Sequence, residues 1–558
     1  MKEIVVALLV KELKLKKEDI SNALEVPPNT ELGDFAFPCF QLSKILKKAP
    51  HQIAQDLQAQ FEKKLPKEIQ EVRQINGYLN FFIDKTILAE QTLKRILKEK
   101  EKYGQSKVGK KKTIVVEFSS PNIAKPFGIG HLRSTIIGNA IANIAEAQGY
   151  KVIRLNYLGD WGTPFGKIIV GWEKFGDAKQ LKQNPIQHLY ELYVKVSSMP
   201  ELEDESRKAF EKLEKGDKKS LKLWKQFREH SLKDFKKVYA ILGVKFDVFS
   251  GEAQYNKEMP LVVQSLKSKK LLEKSDGAQI VNLEKYGLGV SLIEKSDGAT
   301  LYATRDLAAA IDRAKKYKFA NMFYEVGSEQ QLHFKQIFKI LELLGYSWAS
   351  ECKHVSHGLY LDSDGKKFST RKGKTVFMQE ILDETQQLAK AALQLRSELP
   401  EKEINKRALT IARAAILYGD LKNFRQNDLI FDIERFVSFE GDTGPYLQYA
   451  YARARSILRK VRKKQSTLNI EELHEKEIAL IKQLDLFPQT LEHAYVQTNP
   501  AIIAHYSFEL AQTFNEFYHA CPVIGNKHET FRLQLIQAFC ITLKNALALL
   551  GIDVLEEM

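Results

Sequence analysis

The chain has 558 residues, 44% of them apolar and 28% charged, with 30 Gly and 16 Pro, so at roughly 150 residues per domain it can bury several cores. A lone small binding module, a long disordered chain and a collagen-like repeat are excluded. The 85 Lys+Arg against 70 Asp+Glu leave a formal +15, which suits a polyanionic partner because each neutralised phosphate releases counterions; a lysine-rich solvated surface fits the charge as well. No stretch approaches the ~18 uninterrupted apolar residues of a membrane-spanning helix. Cys39, Cys352, Cys521 and Cys540 are too scattered for a CxxC zinc pair or a disulfide framework. A reduced, cytoplasmic protein without a bound metal is expected.

Residues 1–105 read as a separate α/β unit. Ile4–Val10 fits an amphipathic helix better than a signal peptide, since Glu3 precedes it and Lys11, Glu12 and Lys14 follow without a small-residue cleavage site. Glu31–Pro38 leads into a helical pattern from Leu42 to Phe61, and the unit closes with the alternating Tyr78–Ile83. The charged stretch Lys98–Lys112 reads as a linker.

Thr113–Phe118 has the length and β-branching of a buried strand, and Gly128 and Gly130 follow it in a turn. A helix begins near His131, with Ile136, Ile137, Ala140, Ile141 and Ile144 at helical spacing and Gly149 as its C-cap. Lys151–Asn156 is the next strand. This βαβ unit predicts an α/β fold with a doubly wound, Rossmann-like parallel sheet over 106–355. An insertion splits it at about 172–300, lysine-rich and mostly helical to 275. Asp276-Gly277 and Asp297-Gly298 mark turns of a small antiparallel piece. Helical and strand patterns resume from Tyr302 to Leu344, 356–400 connects, and 401–558 is an all-α helix bundle.

The stretch from Ser119 to Thr135 lies between a strand and a helix start, where backbone amides and the helix dipole favour an anion. Gly130 allows close approach to the backbone, His131 brings an imidazole donor and Lys125 a mobile charge. The same glycines would also serve a plain tight turn. A dinucleotide fingerprint fails, because Arg133 stands at its third glycine and no acid lies near the end of the following strand. A second basic stretch, Asp364 to Lys374, crowds Lys366, Lys367, Arg371, Lys372 and Lys374 around two glycines; it suits a loop over a triphosphate or a solvated basic loop.

Pro121 to His131, continuing into Leu-Arg-Ser-Thr, resembles the HIGH motif region of the class I aminoacyl-tRNA synthetases, specifically the arginyl-tRNA synthetases. Gly128 replaces the first histidine of HIGH, so catalytic weight falls on His131. Lys367 to Arg371 resembles the KMSKS signature, with its first lysine and serine kept and Thr370 in place of the second lysine; Lys125 is the natural substitute. The resemblance implies an arginine–tRNA ligase that forms arginyl-adenylate from L-arginine and ATP, with Mg²⁺ accompanying the ATP, and passes the arginyl group to the terminal adenosine of tRNA(Arg). Its implied catalytic residues are His131, Lys125 and Lys367, with Gly128, Gly130, Ser369 and Arg371 beside the ATP.

Arginine demands acids, because carboxylates meet a guanidinium in two-pronged, charge-assisted hydrogen bonds. Glu117 lies at the carboxyl end of the first strand, where doubly wound sheets bind ligands, and Asp306 shares a helical face with Tyr302 if the helix already includes Tyr302. Alternatively Asp306 only caps a helix starting at Leu307. The resemblance matches Asn122, Tyr302, Asp306 and Gln330 to the amino-acid site, with Gln331 beside the last. In the bundle, Tyr446, Tyr449, Arg453 and Arg455 offer aromatic faces and cations to RNA, although such tyrosines equally suit a core. The resemblance extends over the whole chain, implies an N-terminal domain contacting the tRNA core and an anticodon-binding bundle, and leaves a monomer as the expected form. Enzymes it resembles generally need tRNA present before they activate the amino acid.

Overall fold

The structure is a computed structural model describing residues 1–295, 302–362, 364–366, 378–395, 399–461, 470 and 472–558. The chain forms two compact units, one made of Met1–Tyr103, Ala454–Phe487 and Glu509–Leu543, the other of Gly104–Arg453, Pro488–Phe508 and Lys544–Met558.

In the first unit, β1 (Phe35–Pro38), β2 (Ile69–Ile75) and β3 (Tyr78–Ile83) form an antiparallel sheet in the order β1-β3-β2. Asn76 and Gly77 turn the β2–β3 hairpin at φ 51° and 81°, the left-handed pair whose twist matches the strands. The helical run expected from Leu42 to Phe61 is broken: a short helix, Ser43–Leu46, stops at Lys47 (φ 51°) and Pro50 opens a second, Pro50–Glu62. Proline starts a helix readily but cannot continue one. The expected linker also begins as structure, because the helix Lys85–Glu99 runs into it, capped by Asp84 accepting from the Ile87 N–H at 2.9 Å. Leu88, Ala89, Leu93 and Ile96 form its buried face, and Tyr103 is buried with its hydroxyl donating to the Leu484 carbonyl at 2.8 Å.

The second unit begins with β4 (Thr113–Glu117), the helix Ile129–Ala147 and β5 (Lys151–Leu158), the right-order βαβ expected. The helix seats closely because residue 138 is glycine: a Cβ there would lie 2.2 Å from the Phe118 Cβ. It starts two residues earlier than expected, and Gly149, φ 83°, follows its last turn. The insertion supplies the helices Thr163–Phe175, Pro185–Ser197 and Lys218–Leu242, but then Val248–Gly251 returns to the sheet as β6 beside β5. That strand differs from the mostly helical reading; four residues are too few for an alternation to show.

β7 (Glu273–Ser275) and β8 (Ala278–Asn282) turn at Asp276-Gly277 with φ 47° and 81°, and β9 (Val290–Glu294) completes an antiparallel sheet. The Asp297-Gly298 turn lies outside the described residues. The helix Tyr302–Tyr317, β10 (Asn321–Gly327), the helix Gln331–Leu344 and β11 (Cys352–His357) finish the parallel sheet, in the order β11-β10-β4-β5-β6. β12 (Tyr360–Leu361) pairs in parallel with β13 (Leu429–Ile430), and the helices Met378–Gln394 and Glu401–Leu421 lie between them in the chain. Four long helices end it: Gly444–Lys460, Glu475–Gln497, Ala501–Ala520 and Glu529–Leu549. Among the described residues no helix is long and apolar enough to cross a membrane.

Candidate active site

At the carboxyl end of β4 the chain enters a loop with three non-glycine residues in the left-handed region, Ser119 (φ 72°), Ser120 (φ 43°) and Ala124 (φ 58°). Side chains fasten it. Ser134 Oγ accepts from the Ser119 N–H at 2.9 Å, Thr135 Oγ1 donates to Ser119 Oγ at 2.8 Å, and the Ser119 and Tyr239 hydroxyls are 2.7 Å apart. Ser231 Oγ accepts from the Ala124 N–H at 2.9 Å. Tyr239 and Ser231 both lie on Lys218–Leu242, so the insertion holds the loop.

Gly128 is the N-cap of the helix Ile129–Ala147, and its N–H donates to His131 Nδ1 at 3.3 Å. An accepting Nδ1 leaves the ring proton on Nε2. Burial, reinforced by the charge of Lys125, holds His131 down at about 4, so near pH 7 the ring is a neutral donor. The Lys125 ammonium sits 4.7 Å from the centre of the Tyr193 ring. A Cβ at Gly130 would meet nothing within 4 Å, which leaves the amide end of this helix open to an anion.

A second cluster is acidic. The helix Tyr302–Tyr317 begins at Tyr302, so Asp306 lies one turn inside it, on the face of Tyr302, and is not its cap. His333 Nε2 lies 2.7 Å from Asp306 Oδ2, and its ring stacks on Tyr302 with centroids 4.6 Å apart and planes 5° from parallel. The Tyr302 hydroxyl donates to Gln330 Oε1 at 3.1 Å. Glu252 adds a further acid, 3.8 Å from Arg305; burial pushes its carboxyl up to about 7, Arg305 opposes, and Asp306 and Asp160 add to the rise. His333 and Glu252 escaped the sequence reading. The one signal for His333 is its position three residues after Gln330; Glu252 follows a strand that was itself missed.

Glu117, buried at the end of β4, is met by Arg313 of the same chain, whose guanidinium lies 4.7 Å from the Tyr157 ring. Burial pushes the Glu117 carboxyl up to about 7, with Arg313 pulling the other way. The acid expected to receive an incoming guanidinium therefore already faces an internal one. Asn122 is exposed and bridges through its backbone to Gly159, where a Cβ would lie 2.2 Å from its Oδ1. Asp160 is buried, 2.9 Å from Arg228 Nε and accepting from the Ala253 N–H at 2.9 Å.

Lys367, Ser369 and Arg371, with Lys372 and Lys374, lie outside the described residues. The turn before them is set by Asp362, whose Oδ1 accepts from the N–H groups of Asp364 at 3.0 Å and Lys366 at 2.8 Å. In the helix Gly444–Lys460 the tyrosines divide. Tyr451 is buried and bonded to Glu556 at 3.1 Å, Tyr446 is half-buried against the Phe508 ring, and Tyr449 is exposed with the Arg453 guanidinium 4.8 Å from its ring centre. Arg455, Leu458, Arg459 and Gln537 line an open groove of about 280 Å³.

Three family models match the chain: the arginyl tRNA synthetase N-terminal domain over residues 1–83, the catalytic domain of tRNA synthetases class I (R) over 92–433, and the DALR anticodon binding domain over 447–558. Arginine–tRNA ligases of Clostridium botulinum (strain Alaska E43 / Type E3) and Clostridium beijerinckii are each 44% identical to it over 563 residues, 99% of both chains. In structure it is similar to the arginyl-tRNA synthetase of Thermus thermophilus, with TM-score 0.84 and 24% identity over 100% of this chain and 99% of that one. The Plasmodium falciparum arginyl-tRNA synthetase gives TM-score 0.82 and 26% identity over 100% and 98%.

Proposed function

The chain belongs to the class I arginyl-tRNA synthetases, and from that premise we propose how its residues carry the ATP-dependent ligation of L-arginine to tRNA(Arg). In the first step an arginine carboxylate oxygen attacks the α-phosphorus, the bond to the bridging oxygen breaks, and pyrophosphate leaves with its Mg²⁺. In the second a ribose hydroxyl of the terminal adenosine attacks the activated carbonyl and AMP leaves. No protein nucleophile is needed.

His131 donates from Nε2 to an α-phosphate oxygen as its charge grows, beside the open amide end at Gly130, and being neutral it keeps its proton. Lys125 and Lys367 neutralise the departing pyrophosphate, with Ser369 and Arg371 beside the nucleotide. Asp306 and Glu252 face the substrate guanidinium, Tyr302, Gln330 and His333 shape its slot, and Asn122 and Glu117, the latter balanced by Arg313, hold the amino-acid end. The observation that carries this reading is the clustering of the acids Asp306 and Glu252 with Tyr302, Gln330 and His333, inside a chain of formal charge +15.

The N-terminal segment to residue 105 would contact the tRNA core and 401–558 the anticodon, with Tyr446, Tyr449, Arg453 and Arg455 facing RNA. The active species is read as a cytoplasmic monomer, which light scattering checks. Charging bulk tRNA with each amino acid in turn tests the whole: arginine alone should be accepted, and charging by another amino acid ends the assignment.

A further inference from the structure

His357 and Glu325 have no part in that scheme. Both are buried, 8% and 1% exposed, and His357 Nδ1 lies 2.7 Å from Glu325 Oε1. His357 is the last residue of β11, and Glu325 stands two residues from the end of β10. Ser134, one turn beyond His131 on the same helix, donates its hydroxyl to the Glu325 carbonyl at 3.0 Å, so the pair sits beside the element that carries His131. The corner behind it is fastened as well: Arg425 donates from Nε to the Thr498 carbonyl at 3.1 Å and from a terminal nitrogen to the Ser356 carbonyl.

A carboxylate only accepts, so the Nδ1 proton points at Glu325 and a neutral ring offers Nε2 as an acceptor, the reverse of His131. Nε2 has no hydrogen-bond partner among the described residues. It faces Gly327, the last residue of β10, where a Cβ would meet within 4 Å only that nitrogen, at 3.8 Å. The backbone at the end of β10 is therefore bare, with an unpaired imidazole nitrogen at its edge, and a flat group can lie close against it.

The sheet limits what that group can be. Its order β11-β10-β4-β5-β6 puts the switch point between β4 and β10, where doubly wound sheets bind ligands. The ends of β5 and β6 lead into the acids Asp160 and Glu252, so with an α-phosphate at His131, after β4, the β10–β11 side is left for the rest of the nucleotide. Phosphate oxygens are acceptors and cannot satisfy an acceptor nitrogen, whereas the nucleoside carries donors, the ribose hydroxyls and the adenine amino group. We propose that His357, oriented by Glu325, accepts a hydrogen bond from the nucleoside of ATP and is a specificity-determining residue of adenylate formation. This rests on the assignment of the α-phosphate to His131.

ATP–pyrophosphate exchange tests it on the wild-type chain, His357→Phe and Gly327→Ala, each supplied with ATP, 2′-deoxy-ATP, 3′-deoxy-ATP or purine riboside triphosphate, which lacks the amino group. Intact tRNA is present throughout, so only the ATP is altered and not the terminal adenosine. Discrimination against one of the analogues, as a ratio of kcat/KM, should shrink by about threefold or more in His357→Phe, because the variant has no acceptor left to miss the donor. A smaller change for all three analogues overturns the contact. Gly327→Ala covers the case in which His357→Phe does not fold: a φ of −55° suits alanine, and the methyl group would fill the bare end of β10. Its ATP KM should rise at least about threefold while the arginine KM stays within about twofold; a smaller rise for ATP, or an arginine KM that climbs in step, overturns the placement of the nucleoside. A wild-type chain without arginine-dependent exchange would remove the proposed activity, and this contact with it.

Discussion

A neutral imidazole beside a cation is a specific electrostatic statement, and two side chains make it. Lys125 pushes the His131 ring further down, so Lys125→Ala should raise the His131 pKa above its position of about 4, read by the pH dependence of its ring proton shifts. The same variant should slow arginine activation more than about threefold, over ~0.7 kcal/mol, if Lys125 stands in for the missing signature lysine. Among the clustered acids the pH dependence falls to Glu252. Its carboxyl is raised to about 7, hence protonated and neutral below that pH and charged above it, while a guanidinium stays charged throughout. The arginine KM should therefore fall as pH rises through about 7, and Glu252→Gln should flatten that limb. At this scale a motif or a helical spacing placed the residue, His131 at a helix start and Tyr302 and Asp306 on one helical face. Nothing of that kind marked Glu252, Arg313 or His333, whose contacts come from distant elements meeting.

The helix Ile129–Ala147 and its strands were readable because a β-branched run and a 3.6-residue periodicity do not resemble each other. β6 was not, since four residues carry no period, and the helix Lys85–Glu99 was hidden because its charged residues match its apolar ones in number and it runs on into the charged stretch from Lys98. The break at Lys47–Pro50 was written in the proline and was overrun by the apolar spacing on either side. Packing of the crossover depends on Gly138, which no periodicity reveals. Gly138→Ala should push the helix off Phe118 and cost about 1–3 kcal/mol, measured as a lower urea midpoint with an unchanged m-value. Because Ser134 and Thr135 of that helix also fasten the loop, activation should fall in the same variant.

Across the molecule, the charge and the helical C-terminal region set how the polyanion is met. The kcat/KM for tRNA should decline steeply with salt, and Arg453→Ala or Arg455→Ala should each flatten the logarithmic slope by about 0.7–0.9 if each side chain neutralises one phosphate. Exchange of pyrophosphate into ATP should require tRNA, as in the family; full exchange without it would set this chain apart. One arrangement reaches beyond any single assay. The backbone twist at Ser119, Ser120 and Ala124 costs on the order of 1–3 kcal/mol per residue, and part of what restrains it is Tyr239 and Ser231, borrowed from a segment outside the central sheet. That helix is thus a splint, and an engineer trimming this enzyme to a minimal catalyst should find that deleting Lys218–Leu242 spares every signature residue yet frees the strained loop after β4 to relax, with loss of activity.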